Sequence, residues 1–257
     1  MKYNHLKIRL KQAVGWLIVN RPKKRNALNR ETLAELHQAL VTLEQDPSVR
    51  VVILTGAGDQ AFVAGADISE LANLNSEQAK DLVVEGNRTV FDYIENYSKP
   101  TIAAVNGYAL GGGLELAMAC HLRVFADTAR VGMPETSLGL IPGYGGTQRL
   151  PQLVGKGRAL EIMLTASMID AQRAYEIGLA NGVCAASELE KTVESIANRI
   201  MENAPQAQTQ LIGAVNAGFE IQTDGFMAED EAFGACFGTE NFREGTQAFL
   251  RKRKPKY

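Results

Sequence analysis

Apolar positions recur along the chain with two periods, and the alternation between them defines the expected architecture. Leu33, Leu36, Leu40 and Leu43 fall three or four residues apart within Arg30–Gln45, one face of an amphipathic helix that Pro47 ends. The segment that follows, "VRVVILTG" from Val49 to Gly56, is a near-continuous β-branched run, the pattern of a strand covered on both faces. "TIAAVNG" (Thr101–Gly107) and "LRVFAD" (Leu122–Asp127) read as two further buried strands. Two shorter strands are expected at Leu6–Leu10 and Gly15–Asn20, and a long helix over Ser76–Asn96. "AGDQAFVAGADIS", before that helix, reads as a loop.

From Gly155 onward the pattern turns helical. "GRALEIMLT", "AQRAYEIG", Ser187–Asn203, Pro205–Glu220, Gly225–Gly238 and about Asn241 to Lys252 all read as helices, with a capping box at Ser187 and Glu190. Alternating strands and helices argue for a layered α/β core. The chain therefore divides into an α/β part, residues 1–190, and a helical part, residues 191–257, with no linker or repeat visible in the sequence.

Charge and composition remove several classes. The chain has 27 basic and 29 acidic residues, a formal net charge of −2, and no dense basic stripe outside the tail "RKRKPKY", so nucleic acid is not an expected partner. No apolar run reaches membrane-spanning length, and the polar start "MKYNHLKIRLKQAV" lacks the apolar region of a signal peptide, which points to a cytoplasmic protein. Cys120, Cys184 and Cys236 are scattered and odd in number, so neither a disulfide framework nor a metal site is expected; they read as small buried hydrophobes.

Gly56-Ala-Gly58-Asp-Gln-Ala61 formally matches a dinucleotide fingerprint, but the fingerprint must open a helix and this segment continues as a glycine-containing loop. There is no P-loop and no GxSxG, and His5, His37 and His121 form no catalytic grouping; His37 falls on the polar side of its helix.

A stronger constellation has three parts. "FVAGADI" (Phe62–Ile68) places small residues at the carboxyl end of a buried strand, where open α/β sheets bind ligands. Gly111, Gly112 and Gly113 precede an apolar helix, whose start leaves N–H groups unpaired. Two such loops can aim two backbone donors at one oxygen, the arrangement of an oxyanion hole. Glu115, among Leu114, Leu116, Ala117 and Met118, has a plausible partner in Glu135, and two carboxylates in one apolar pocket push their proton affinities apart. Such a pair suits adding or removing water across a double bond. Plainer readings exist for each part: a tight turn, close packing, a helix-capping Glu115 and a solvated Glu135.

Together the segments "NRPKKRNALN", "FVAGADIS", "KPTIAAVNGYALGGGLELAMAC", "MPETSLGLIPGYGGTQRLPQLVG" and "AFLRKRKP" closely resemble the enoyl-CoA hydratase/isomerase (crotonase) superfamily, most of all its bacterial-type short-chain hydratases. The match runs in the family's order from about Asn20 to Pro255. It implies a crotonase-like spiral of ββα units with a C-terminal helical region that assembles trimers or dimers of trimers. It implies an acyl-CoA thioester whose carbonyl lies between the N–H groups of Ala66 and Gly112. Glu115 and Glu135 would hold the water and exchange protons with it and the α-carbon, with the Gly143 N–H nearby. Lys23, Lys24, Arg25 and Lys252 match regions that contact the CoA nucleotide, and Phe249 an aromatic near the adenine. Ala27, Ala64, Asp67 and Ile68 complete the implied CoA contacts.

The implied reaction is reversible syn hydration of a 2-trans-enoyl-CoA to a 3-hydroxyacyl-CoA, in fatty-acid β-oxidation or related acyl-CoA metabolism, without metal or organic cofactor. Both glutamates, 20 residues apart, favour a hydratase, while an isomerase or a branched methylglutaconyl-type hydratase uses the same scaffold. An RNA-binding relative would carry a lysine-rich helix, whereas Arg30–Gln45 carries Glu31, Glu35 and Glu44. Met133, Leu114 and Tyr144 depart from common family residues in the acyl region.

Overall fold

The computed structural model describes residues 3–220 and 223–257. Strands β1 (Leu6–Lys11) and β2 (Val14–Val19) form an antiparallel hairpin, followed by helix α1 (Arg30–Gln45). Asn29 caps α1, its Oδ1 accepting from the Thr32 N–H at 2.9 Å. Then come β3 (Val51–Gly56), β4 (Ala61–Val63), α2 (Ile68–Leu71), α3 (Ser76–Gly86) and α4 (Asp92–Glu95). The central part continues with β5 (Thr101–Val105), β6 (Tyr108–Leu110), α5 (Gly112–Ala119), β7 (Leu122–Ala126) and β8 (Arg130–Gly132). After it follow α6 (Gly146–Val154), α7 (Lys156–Thr165), β9 (Met168–Asp170), α8 (Ala171–Glu176) and β10 (Gly182–Cys184). The chain closes with α9 (Leu189–Met201), α10 (Pro205–Ala217), α11 (Gly225–Cys236) and α12 (Glu240–Leu250).

Two sheets organise these elements. One has the order β1-β2-β3-β5-β7-β10, parallel after the first hairpin, and the other the order β4-β6-β8-β9. Each successive pair, β3–β4, β5–β6 and β7–β8, sends its first strand to the large sheet and its second to the small one. This structural repeat is the expected spiral, although no repeat is visible in the sequence.

The near-continuous apolar strands have a physical explanation in the two cores. Val52 and Leu54 of β3 pack toward α1, where Leu36 and Leu40 are fully buried, each contributing roughly 2 kcal/mol of burial free energy. Val51 and Ile53 point the other way, into a second core with Trp16, Ile102 and Val124 that α9 covers through Leu189, Val193 and Ala197. The division expected near residue 190 thus falls within α9, a helix that seals the sheet.

Several local expectations are corrected. The segment read as a loop contains β4 and the first two residues of α2. The helix expected over Ser76–Asn96 is broken by a π-helical turn at Asn87–Phe91, which inserts an extra residue and turns Val90 and Phe91 into the core. Ser187 and Glu190 make no capping box: α9 begins after Glu188 without a side-chain cap, preceded by a 3₁₀ turn that includes Ser187. The side-chain box is instead at Asn75 and Gln78, at the start of α3. The Gly56–Ala61 fingerprint leads into β4, so no helix opens there.

Candidate active site

Asn26 begins the site. Its buried side chain donates from Nδ2 to the Ala57 and Ala61 carbonyls at 3.0 and 2.7 Å and accepts from the Arg21 N–H at 2.9 Å. Residues 25–28 then zip against residues 64–67: the Ala64 N–H donates to the Arg25 carbonyl, Leu28 to Gly65 and Asp67 to Leu28, at 3.1, 2.8 and 2.7 Å. This parallel pairing uses the groups on either side of Ala66 and directs the Ala66 N–H away from the partner segment.

The glycine run meets Ala66 from the other side, and its three members have different reasons to be glycine. Gly113 packs α5 directly on β4, since a Cβ there would lie 1.9 Å from the Val63 carbonyl oxygen. Gly112 is the first residue of α5, so its N–H has no intrahelical acceptor, and a Cβ on it would lie 3.7 Å from the Ala66 nitrogen. Gly111 holds φ +49°, and the Glu135 carboxyl occupies the space where its side chain would be. Among the described residues, neither the Ala66 nor the Gly112 N–H has a protein acceptor. Close packing thus accounts for Gly113 and the Glu135 carboxyl for Gly111, while Gly112 faces the Ala66 nitrogen.

Glu115, in the first turn of α5, is 1% exposed. Its Oε1 accepts from the Tyr144 N–H at 2.7 Å and the Gly146 N–H at 2.8 Å, while Oε2 accepts from none of the described residues. Burial pushes this carboxyl up to about 7, against the Gly146 and Tyr144 hydrogen bonds and the Arg149 charge, with nearby Glu135 adding to the rise. Glu135 opens a 3₁₀ turn after Pro134. Burial raises its carboxyl as well, opposed by its own backbone N–H, and its Oε2 is buried without a hydrogen-bond partner. The two glutamates, 20 residues apart in sequence, are therefore close enough to influence each other.

The loop that serves Glu115 is shaped by neighbours. A Cβ at Gly146 would lie 2.3 Å from Met133 Cε and 2.8 Å from Glu115 Oε1, so glycine lets the donor approach. The Tyr144 ring stacks on Phe91 with centroids 4.4 Å apart and planes 4° from parallel, and its Cδ2 lies 3.5 Å from where a Gly112 Cβ would stand. The Gly143 carbonyl accepts from Asn87 Nδ2 at 3.0 Å, and its N–H has no acceptor among the described residues. Asn26, Asn87, Arg149 and Gly146 are not singled out by the sequence, and Tyr144 is marked there only for its side chain; the glycines beside it are the one available signal.

The residues matched to CoA fall into two groups. Lys23, Lys24 and Arg25 are exposed on one loop, beside half-buried Ala27 and Ala64 and exposed Ile68. The Asp67 carboxylate is engaged within the chain, by Arg21 Nη2 at 3.0 Å and the Ser69 hydroxyl at 2.7 Å, which keeps it below the usual carboxylate range. Phe249 and Lys252, by contrast, stand in solvent at the end of α12, which packs on α10. No group of three or more metal-binding side chains occurs among the described residues, and none of their helices is long and apolar enough to cross a membrane. The histidines have local partners: His37 Nδ1 is 2.8 Å from the Thr89 carbonyl, and His121 lies between Thr101 and the Glu95 carbonyl. All three cysteines are free, with Cys120 buried and Cys184 and Cys236 half-buried.

Two neighbouring backbone N–H groups without a protein acceptor thus lie beside the buried Glu115 and the half-buried Glu135. The chain belongs to the enoyl-CoA hydratase/isomerase family, whose sequence profile matches residues 9–257. It is 45% identical to a crotonyl-CoA hydratase of Syntrophomonas wolfei, covering 100% of this chain and 99% of that one. It is 46% identical to a short-chain-enoyl-CoA hydratase of Clostridium acetobutylicum, covering 99% and 97%. The crystal structure of an enoyl-CoA hydratase from Bacillus anthracis matches with a TM-score of 0.92 and 41% identity over 99% of both chains. The fold is the crotonase fold.

Proposed function

We propose that this protein is an enoyl-CoA hydratase that adds water reversibly to a short 2-trans-enoyl-CoA, giving the 3-hydroxyacyl-CoA, in acyl-CoA metabolism of the β-oxidation type. The observation that carries the reading is the pairing of buried Glu115 with half-buried Glu135 beside the free N–H groups of Ala66 and Gly112. The thioester carbonyl accepts from those two donors. Glu115 Oε2 takes a proton from water, whose oxygen bonds to the β-carbon, and the alkene electrons move onto the thioester oxygen as an enolate. Each oxyanion donor of this kind is worth on the order of 3 kcal/mol in the transition state. The enolate collapses as Glu135 delivers its proton to the α-carbon, on the same face as the water.

Burial raises both carboxyls, and the contacts that differ between them are the ones this division of roles rests on. Glu115 Oε1 is held by two N–H groups, which favours a carboxylate. The buried, unpartnered Oε2 of Glu135 favours a neutral carboxyl. The pair works while it holds one proton, so activity falls as pH drops and doubly protonates it, and falls again as pH rises and ionises it fully. The Gly143 N–H stands near the water, and coenzyme A is part of the substrate, with no added cofactor.

Lys23, Lys24 and Arg25 meet the CoA phosphates, lined by Ala27, Ala64, Asp67 and Ile68, with Asp67 acting through its backbone and its tie to Arg21. Residues 191–257 form the assembly region of a homotrimer or dimer of trimers, in the cytoplasm. Phe226, Phe249 and Leu250 are 86%, 83% and 78% exposed in the single chain, which supports burial between copies and a contribution of Phe249 and Lys252 to a neighbour's CoA.

Loss of the conjugated-enoyl absorbance of crotonyl-CoA, with mass analysis of the product, tests the reading. A gain of one water, abolished in Glu115→Gln and Glu135→Gln, is the expected result. Conserved mass with a shifted double bond would replace hydratase by isomerase. No turnover of crotonyl, longer or branched enoyl thioesters would overturn the activity.

A further inference from the structure

Arg149, on α6, is buried, with 7% of its side chain exposed. Its guanidinium faces two ways. Nη1 donates to the Tyr144 carbonyl at 2.9 Å, and Nη2 donates to Asp92 Oδ1 at 2.8 Å and Glu95 Oε2 at 2.6 Å, both on α4. It also fills the space over Gly145: a Cβ there would lie 2.0 Å from Nη1, and Gly145 holds φ +88°. Tyr144 and Gly146, on either side of that glycine, supply the two N–H groups bound to Glu115 Oε1.

We infer that Arg149 is a positioning residue for the hydration step: it grips the Tyr144 carbonyl so that the loop's two N–H groups stay on Glu115, and its charge, balanced by Asp92 and Glu95, tunes the basicity of that carboxylate. The inference rests on the reading of Glu115 as the base. A burial-driven tie between α6 and α4 would need the ion pairs alone; it would not need a guanidinium arm on the carbonyl of the residue that donates to Glu115.

The charged surroundings of Glu115 are limited. Glu135 and Arg149 act on it directly, the first raising and the second lowering its proton affinity. On the other elements packed around α5, Asp92 and Glu95 bind Arg149 and Tyr93 binds Glu44. Arg123 on β7 binds the Cys120 and Leu179 carbonyls, Arg88 pairs with Glu85 at the surface, and Tyr108 lies on β6.

The test is the pH profile of crotonyl-CoA hydration in Arg149→Met, Arg149→Lys and the double variant Asp92→Asn/Glu95→Gln, with Glu115→Gln and thermal melts alongside. In Arg149→Met, kcat falls on the order of 10- to 100-fold with little change in KM. Its acid limb moves to higher pH, because a carboxylate without a nearby cation protonates more readily. Arg149→Lys restores the position of the limb but not the full kcat, since an ammonium keeps the charge without the planar fork. Asp92→Asn/Glu95→Gln keeps acceptors for Arg149 while removing two negative charges, so the limb moves the other way, to lower pH.

Acid limbs that superimpose on the wild type in all variants, with only the melting temperature lowered, would overturn the inference and leave Arg149 as a helix tie. If Arg149→Met does not fold, the double variant decides by the same criterion, since its carboxylates are at or near the surface, with 54% and 35% of their side chains exposed. Full activity in Glu115→Gln would instead remove the reading of the base; an inactive Glu115→Gln with an unmoved limb in the double variant removes only the role of Arg149.

Discussion

Glu135 stands in the space that a side chain at Gly111 would fill: a Cβ built there lies 2.3 Å from Oε1 of the glutamate. The second carboxylate and the glycine before the Gly112 donor are thus one unit. Gly111→Ala must move that carboxyl, and alanine must also adopt φ +49°, ψ −122°, a region that suits glycine, at a strain of about 1–3 kcal/mol. The expected result is a folded protein whose kcat for crotonyl-CoA is lowered about 100-fold while KM changes little, measured by steady-state kinetics. A kcat within twofold of wild type would mean that Glu135 relocates without consequence.

Glu115 also links activity to stability. Burial pushes its carboxyl from an ordinary 4.5 up to about 7 in the folded protein, so the native state binds more protons across that interval. The sign follows: stability from this group is fully present below about 4.5 and is lost as pH rises toward 7, leaving a cost above it. Glu115→Gln keeps an acceptor for the Tyr144 and Gly146 N–H groups without the charge. It is expected to be about 2 kcal/mol more stable than wild type at pH 8, by urea unfolding, with the gain vanishing near pH 5. A gain that is constant with pH would contradict the elevated proton affinity.

Asn26→Ala removes three hydrogen bonds at once and strands the Ala61 carbonyl in the interior. Unfolding free energy should fall by about 3 kcal/mol, read from the urea midpoint at unchanged slope. KM for crotonyl-CoA should rise more than kcat falls, because the loop carrying Lys23, Lys24 and Arg25 loses its anchor to β4.

Tyr144 contributes its backbone to Glu115 and its ring to the wall beside Gly112. Tyr144→Ala retains the N–H donor and removes the ring stacked on Phe91. The expected outcome is a protein destabilised by about 3 kcal/mol whose kcat/KM ratio for decenoyl-CoA over crotonyl-CoA rises about tenfold. An unchanged ratio would place the limit on acyl length elsewhere.

The legible parts of the fold were those whose signal is local and repeated. The leucine face of α1, the β-branched run of β3 and the apolar stretches of β5 and β7 each contain enough residues to be read. The second sheet was missed because β4, β6, β8 and β9 have three residues each, too few for any alternation. The capping box at Ser187 failed because that serine joins a 3₁₀ turn before α9, while the equivalent pattern at Asn75 met the start of α3.

By itself the sequence determined which chemistry was available: buried strands to carry loops, glycines to bare their N–H groups, and two glutamates in apolar company. Those are properties of residue types and of neighbours a few positions apart. Only the tertiary structure decided that the donors to Glu115 are Tyr144 and Gly146, 29 and 31 residues away, and that Glu135 displaces a side chain at Gly111. It also decided that Arg149 bridges this loop to Asp92 and Glu95, 57 and 54 residues distant. Backbone N–H groups are the same in every residue except proline, so no pattern of letters marks which ones will be left free to bind. Their exposure arises from the pairing of residues 25–28 with 64–67 and from the first turn of α5, relationships that exist only once the chain has folded.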